Sequence, residues 1–242
     1  MDYNGFKKYF TPINMIPQII GGFIVACGAI FAIVVRHFGL YFGVIIAIVG
    51  LCVLVFARDS RPSDEDVDGA VAKKINDIDS TARQGIDIRE RLIKAFPPVL
   101  FADYDFSGWE TDPENFAVQR GRDGRYRTNT YSAAEIMFAQ ERLHIYMYKV
   151  CLTEEKEEST TLSERYLDLK GAKIERRTRS FVMYSGKNEK RVELEFETIV
   201  IENNSGEVIF EMPVHDGADV DKTVETVNHL IDSKKNGTAS FT

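Results

Sequence analysis

From Met15 to Val35 the chain runs 21 residues without a charged side chain, and from Leu40 to Phe56 another 17, with only Arg36, His37, Phe38 and Gly39 between them. A helix rises about 1.5 Å per residue and a bilayer's hydrocarbon core is about 30 Å thick, so the first run spans it and the second only just does. Two such runs joined by so short a turn predict a transmembrane α-hairpin over residues 1–62, with spans near 15–35 and 40–56. A cleaved signal peptide has a shorter apolar stretch and a small-residue cleavage site, whereas here a second apolar run follows at once. Lys7 and Lys8 precede the first run and Arg58 and Arg61 follow the second, against Arg36 alone in the turn. By the positive-inside rule this predicts a multi-pass protein of the plasma membrane with both termini cytoplasmic. Small residues at four-residue spacing, Gly22 and Ala26, then Gly39, Gly43 and Ala47, mark expected helix-packing positions, within the hairpin first and between copies in a homo-oligomer second. Neither run holds an Asp, Glu or Lys, so nothing points to a proton path or ion site.

Charge divides the chain at the same place. Residues 1–62 carry a net +3, and because the whole chain stands at −7, the remainder carries −10. An acidic body argues against nucleic acid as a partner, since phosphate neutralisation needs a basic surface. Cys27 and Cys52 lie in the apolar runs and Cys151 in a mixed segment, which is neither a disulfide framework nor a CxxC pair and fits a reducing compartment.

Beyond the apolar runs, Ser63 and Asp66 have the spacing of a capping box, so a helix is expected to start there. Val67, Val71, Ile75, Ile78 and Ala82 recur at helical spacing until Gly85 weakens the pattern and Pro97-Pro98 ends it. Residues 63–96 thus read as an amphipathic helical stalk whose apolar stripe packs onto the chain's own soluble domain or, as a coiled coil, onto a second copy. Residues 97–242 change to short β-branched and aromatic runs punctuated by turn residues, an antiparallel pattern. Within 135–152, Ser132 and Glu135 suit a helix start, but Ile145 to Val150 reads as strand, so two strands around Ala139 to Arg142 are expected. Arg191 to Ile201 alternates, turns at Asn203 to Gly206 and returns through Val208 to Met212 as a hairpin. A last helix from about Asp219 to Lys235 places Val220, Val224, Val227 and Ile231 on one face, with Gly237 as its stop. The fold class expected is a transmembrane α-hairpin plus an α+β soluble domain.

Nothing in the sequence carries catalytic chemistry. His37, His144, His215 and His229 stand at no metal-ligand spacing, and there is no HExxH, phosphate loop or GxSxG. Asp103 and Asp105, beside Tyr104 and Phe106, alternate as the solvent side of a strand. An enzyme would need a dispersed site, gathering Asp103, Asp105, His144 and Tyr166 around one cleft. No catalytic residue, cofactor or metal is therefore expected. The acidic loop Glu154, Glu155, Glu157 and Glu158 reads as a soluble turn. One charged feature stands out: Lys173, Arg176, Arg177 and Arg179, joined after a turn by Lys187, Lys190 and Arg191. On a domain tethered to a membrane this cluster suits anionic lipid headgroups or an acidic protein partner, while as a solvated hairpin it would pair with Glu175, Glu189 and Glu193.

The run from Glu135 to Tyr146, then Glu164-Arg165-Tyr166-Leu167-Asp168-Leu169, then the final hairpin and helix, resembles the pleckstrin-homology-like (PH-like) domains of small bacterial membrane proteins. The likeness covers roughly residues 130–235 and leaves Val99 to Thr130 without a counterpart. It implies an antiparallel PH-like β-barrel whose open end is capped by the C-terminal helix, and it implies binding without an activity. The function expected is a membrane-anchored, non-enzymatic interaction module that presents this domain to a protein partner or to headgroups. The alternative is an assembly subunit of a membrane complex acting through the hairpin and stalk.

Overall fold

Residues 1–11, 16–34, 38–59, 61–85, 92–108, 114–185, 188–214 and 218–237 are described by a computed structural model. Asp2 caps a short helix α1 (Tyr3–Phe10) by accepting from the Gly5 amide at 3.0 Å. Phe6, Tyr9 and Phe10 bury one side of α1 and leave Lys7 and Lys8 exposed on the other. The apolar runs then form α2 (Ile16–Val34) and α3 (Phe38–Asp59), which pack along each other. Met15, Val35, Arg36 and His37 lie outside the described residues.

Of these two helices, only Ile16–Val34 is long and apolar enough to cross a membrane, and Leu40–Phe56 is a shorter apolar helix. Seventeen apolar residues reach about 25 Å, short of the roughly 30 Å hydrocarbon core. The expectation of a multi-pass protein, and with it the placement of both termini on the cytoplasmic side of the plasma membrane, is thus corrected to one candidate span. A buried core helix can share that length and composition, but only 11% of the most apolar window of α2 is buried, and Phe23, Ile30 and Ile33 lie open.

The α2–α3 contact runs through glycines, one position round from part of the expected stripe. A Cβ on Gly28 would sit 2.6 Å from the Ala47 amide nitrogen, one on Gly43 2.5 Å from the Ala32 nitrogen, and one on Gly50 2.7 Å from the Val25 nitrogen. Gly43 and Ala47 thus lie in the contact, whereas a Cβ on Gly22 would meet nothing and Ala26 is exposed. Gly39 lies in the first turn of α3. Gly43→Leu is expected to destabilise the helix pair by about 1–3 kcal/mol, the range for overpacked contacts. Gly22→Leu should be neutral. Thermal melting in detergent checks both, and equal melting of the two variants would refute this packing.

Helix α4 (Asp64–Gly85) begins at the expected capping box: the Ser63 amide donates to Asp66 at 2.8 Å and the Asp66 amide to the Ser63 hydroxyl at 3.1 Å. Val67, Val71 and Ile78 are buried against the β domain. The helix therefore lies along the domain. Leu92 already bridges to Ala139, and Ile93 is part of the core.

The strands form two antiparallel sheets and a small ribbon. One sheet orders β1 (Val99–Tyr104), β4 (Thr130–Phe138), β5 (Arg142–Cys151) and β6 (Glu157–Arg165) as β1-β4-β5-β6. The ribbon pairs β2 (Val118–Arg120) with β3 (Tyr126–Thr128), and the second sheet pairs β7 (Leu169–Ser185), β8 (Asn188–Asn203) and β9 (Val208–Val214) in sequence. The closed barrel is corrected: among the described residues no strand of one sheet pairs with a strand of the other. The chain leaves β6 through a 3-10 turn, Tyr166–Asp168, with Tyr166 fully buried, so β7 starts a new sheet instead of extending the first.

Helix α5 (Ala218–Lys235) completes the core between the sheets, where Val227, Leu230 and Ile231 meet Ile136, Ile145, Ile199 and Ile201. The Asn228 amide also accepts from the Ala172 nitrogen at 2.8 Å and donates to its carbonyl at 2.9 Å, pairing with the β7 backbone much as a strand would. The long β7–β8 ribbon serves two cores in turn. Ala172 and Ile174 face the α5 core from one side, and Phe181 and Met183, at odd positions, face a second core with Phe106 and Val71 from the other.

Candidate functional site

Where the apolar helices meet the β domain, α4 sets Asp64 and Asp68 one turn apart on one face, while Val67 and Val71 bury the adjacent face. Strand β3 brings Arg127 to them, and the β2–β3 turn brings Asp123. Its side chain is almost wholly buried: Nε donates to Asp68 Oδ1 at 2.8 Å and one terminal nitrogen to Asp68 Oδ2 at 2.6 Å. The same guanidinium reaches both oxygens of Asp123, at 3.0 and 2.7 Å. Gly121 leaves room for this, since a Cβ there would collide with the Arg127 guanidinium and with Asp123. The Tyr104 hydroxyl donates to Asp68 at 2.6 Å, the Tyr9 hydroxyl to Asp64 at 2.7 Å, and the Arg122 amide to Asp64 at 2.7 Å. Four segments, α1, α4, β1 and the β2–β3 turn, are thus tied by one charged network.

The electrostatics agree with that geometry. Hydrogen bonds from Arg127 hold Asp68 below the usual carboxylate range and bring Asp123 down to about 2. Bonds to Asp68 and Asp123 push Arg127 up, and burial followed by the bonds to Asp68 and Asp64 pushes Tyr104 and Tyr9 up. Carboxylates whose folded-state pKa is depressed contribute stability that is complete above their unfolded value, about 4, and lost as pH falls through the folded one. Near-UV circular dichroism of the tyrosines is therefore expected to hold steady from pH 7 to about 4 and to fall between there and pH 2. Loss already between pH 7 and 5 would contradict the network.

Beside the network opens a cleft of about 1190 Å³. Gln18 of α2 and Leu54 of α3 form one wall, and Arg61, Glu65, Arg120 and Arg122 are among the residues of the others. Neither Arg127 nor this cleft was anticipated from the sequence. The signal available was Asp64 and Asp68 beside a buried valine stripe, and it names no partner.

The predicted basic cluster lies on the β7–β8 ribbon, where alternation divides it. Lys173, Arg177, Arg179 and Lys190 fall on one face, Arg176 and Arg191 on the other, and Lys187 lies outside the described residues. Glutamates meet most of these cations. Lys173 pairs with Glu175 at 2.7 Å and with Glu202, Arg176 with Glu197 at 3.5 Å, and Arg177 with Glu175 and Glu211 at 3.0 Å each. Arg179 lies 3.9 Å from Glu211 and over the Phe196 ring, and Arg191 donates to Ser180 at 3.1 Å. The glutamates that do this are Glu175, Glu197, Glu202 and Glu211, of which only Glu175 was expected.

Asp103 lies in β1 as expected, but the solvent-facing reading of Asp103 and Asp105 is corrected, because both are buried. Asp105 pairs with Lys149 at 2.8 Å and accepts from the Ser107 amide at 2.7 Å. Burial raises its pKa, but these two partners outweigh burial and hold it low. Its buried charge is paired by Lys149 on β5, one strand beyond the neighbour of β1, which a pattern confined to one strand does not reveal. Asp103 and Asp105 line different clefts, and His144 in β5 and Tyr166 in the 3-10 turn are buried elsewhere. His37 and His215 lie outside the described residues, and within those residues no three His, Cys, Asp or Glu gather as a metal site. Glu157 belongs to β6, bonded to Lys74 and to the Tyr148 hydroxyl at 2.6 Å, which ties α4 to the first sheet a second time. Comparison with family models, with curated proteins and with solved structures finds no match for the chain.

Proposed function

We propose that this chain is a membrane-anchored, non-enzymatic interaction module, in which α2 holds a PH-like β domain at a bilayer surface where it receives a protein partner. The observation that carries this reading is the exposed apolar surface of α2, which follows α1, the helix that Tyr9 ties to Asp64 of the folded domain. An apolar helix left open to water is costly, and a bilayer removes that cost. The order of an antiparallel strand series closed by one amphipathic helix supports the PH-like part of the reading. Ion pairing of Lys173, Arg176 and Arg177 along the β7–β8 ribbon reduces the free positive charge there, which weighs against an anionic headgroup at that edge.

Flotation of the full chain with lipid vesicles tests the anchor. The chain should float and stay with the membrane at alkaline pH. Phe23→Lys with Ile30→Lys, both at positions facing away from α3, adds two charges at about 3 kcal/mol each and should leave the chain in the unbound fraction. A parent chain that stays unbound, or an intact mass that begins beyond α2, would overturn the anchoring role.

A further inference from the structure

The junction cleft lies at a particular depth. Gln18 stands in the first turn of α2 and Leu54 near the end of α3, so both line the mouth of the helix pair, where apolar surface gives way to the charged walls of the β domain. If α2 is the anchor, as proposed above, this cleft sits at the level of lipid headgroups. The exposed Ile19 and Phe23 continue below it along α2.

Among the described residues the charge of the lining is balanced, with Arg61, Arg120, Arg122 and Arg127 set against Asp64, Glu65, Asp68 and Asp123. Arg127 is occupied by Asp68 and Asp123, and Asp64 accepts from Tyr9 and from the Arg122 amide. Arg61 uses one nitrogen on the Thr11 carbonyl at 2.6 Å, and Arg120 uses its Nε on the Gly124 carbonyl at 3.3 Å. A guanidinium has five N–H donors, so each keeps donors for a phosphate. Glu65, exposed and also lining the cleft, offers an acceptor for a cation. An anionic headgroup gains little from a lining with no net charge, whereas a headgroup carrying both a phosphate and an ammonium matches it at both ends. A quaternary ammonium has no N–H to donate and is held by open aromatic faces, and among the described residues the one aromatic of the lining, Tyr9, is buried and bonded to Asp64.

We propose that this cleft binds the zwitterionic headgroup of a phospholipid with a primary ammonium, such as phosphatidylethanolamine. Arg61, Arg120 and Arg122 hold the phosphodiester, Glu65 holds the ammonium, and the acyl chains follow α2 and α3. The inference rests on the anchoring reading.

Native mass spectrometry of the full chain in detergent tests it, with phosphatidylethanolamine, phosphatidylcholine and phosphatidylglycerol of identical chains supplied in equal amounts. One phosphatidylethanolamine should be retained about tenfold over either competitor, the ratio that one charge-assisted contact supplies. Arg120→Gln with Arg122→Gln should remove that retention, and Glu65→Gln should erase the preference over both phosphatidylcholine and phosphatidylglycerol, each with the parent's melting curve. If the double variant melts early, the exposed Glu65→Gln decides by itself. Equal retention of the three lipids, preference for phosphatidylglycerol, or a preference that survives Glu65→Gln would overturn the proposal. Displacement by an equal concentration of glycerophosphoethanolamine would show a site for the soluble headgroup and overturn the lipid assignment. Flotation with pure phosphatidylcholine vesicles separates the two claims: a chain that floats without preference loses only the headgroup site, and a chain that does not float loses the anchor.

Discussion

Arg127→Leu lowers the stability of the full chain by about 3 kcal/mol, the low end for breaking a buried ion pair because both carboxylates keep some access to water. For a chain of this size that is a fall of roughly 6–12 °C in Tm. The cost arises because Asp68 and Asp123 lose four hydrogen bonds at once, leaving Asp68 with Tyr104 as its remaining donor named above. Arg176→Leu, which removes an exposed cation 3.5 Å from Glu197, should leave melting unchanged. Differential scanning calorimetry of the two variants checks the contrast, and equal Tm values would show that the network does not tie the helices to the domain.

Leu230→Asp has the larger expected effect, because Leu230 is fully buried in the core that α5 shares with both sheets. Losing the side chain costs about 3 kcal/mol and burying a charge in its place adds several more, against a total domain stability of about 5–15 kcal/mol. The β domain should unfold at room temperature or persist only as aggregate, seen as loss of the near-UV signal and of protease resistance. Leu230→Ala should fold with lowered stability, and Glu225→Gln, on the exposed side of α5, should behave as the parent. A Leu230→Asp chain that melts with the parent would remove α5 from the core.

Val224 illustrates how much of α5 was legible. The expected stripe Val220, Val224, Val227 and Ile231 does face the core, with Val224 only partly buried, and Leu230 joins it between two stripe positions. Helical spacing identifies the face within a residue or so, but the shape of the opposing sheets decides which residue on it is enclosed. The same holds between α2 and α3, where small residues at four-residue spacing announce a close contact, and the rotation of each helix decides that Gly28 lies in it and Gly22 does not.

What the sequence determined by itself is local. Two apolar runs, a capping box at Ser63 and Asp66, strands divided at Ala139 to Arg142, a hairpin turned at Asn203 to Gly206 and a final amphipathic helix all follow from spacing and turn chemistry that act over a few residues. What only the tertiary structure decided is non-local. Arg127 meets Asp68 from 59 positions away, Asn228 meets Ala172 from 56, and the chain turns through Tyr166–Asp168 into a second sheet instead of closing a barrel. A charged residue reads the same in sequence whether it ends in solvent or in a buried pair. Which of the two it becomes depends on whether packing elsewhere removes its water and supplies an opposite charge at hydrogen-bond distance, and for Arg127 and Asp105 that packing comes from segments a local pattern does not reach.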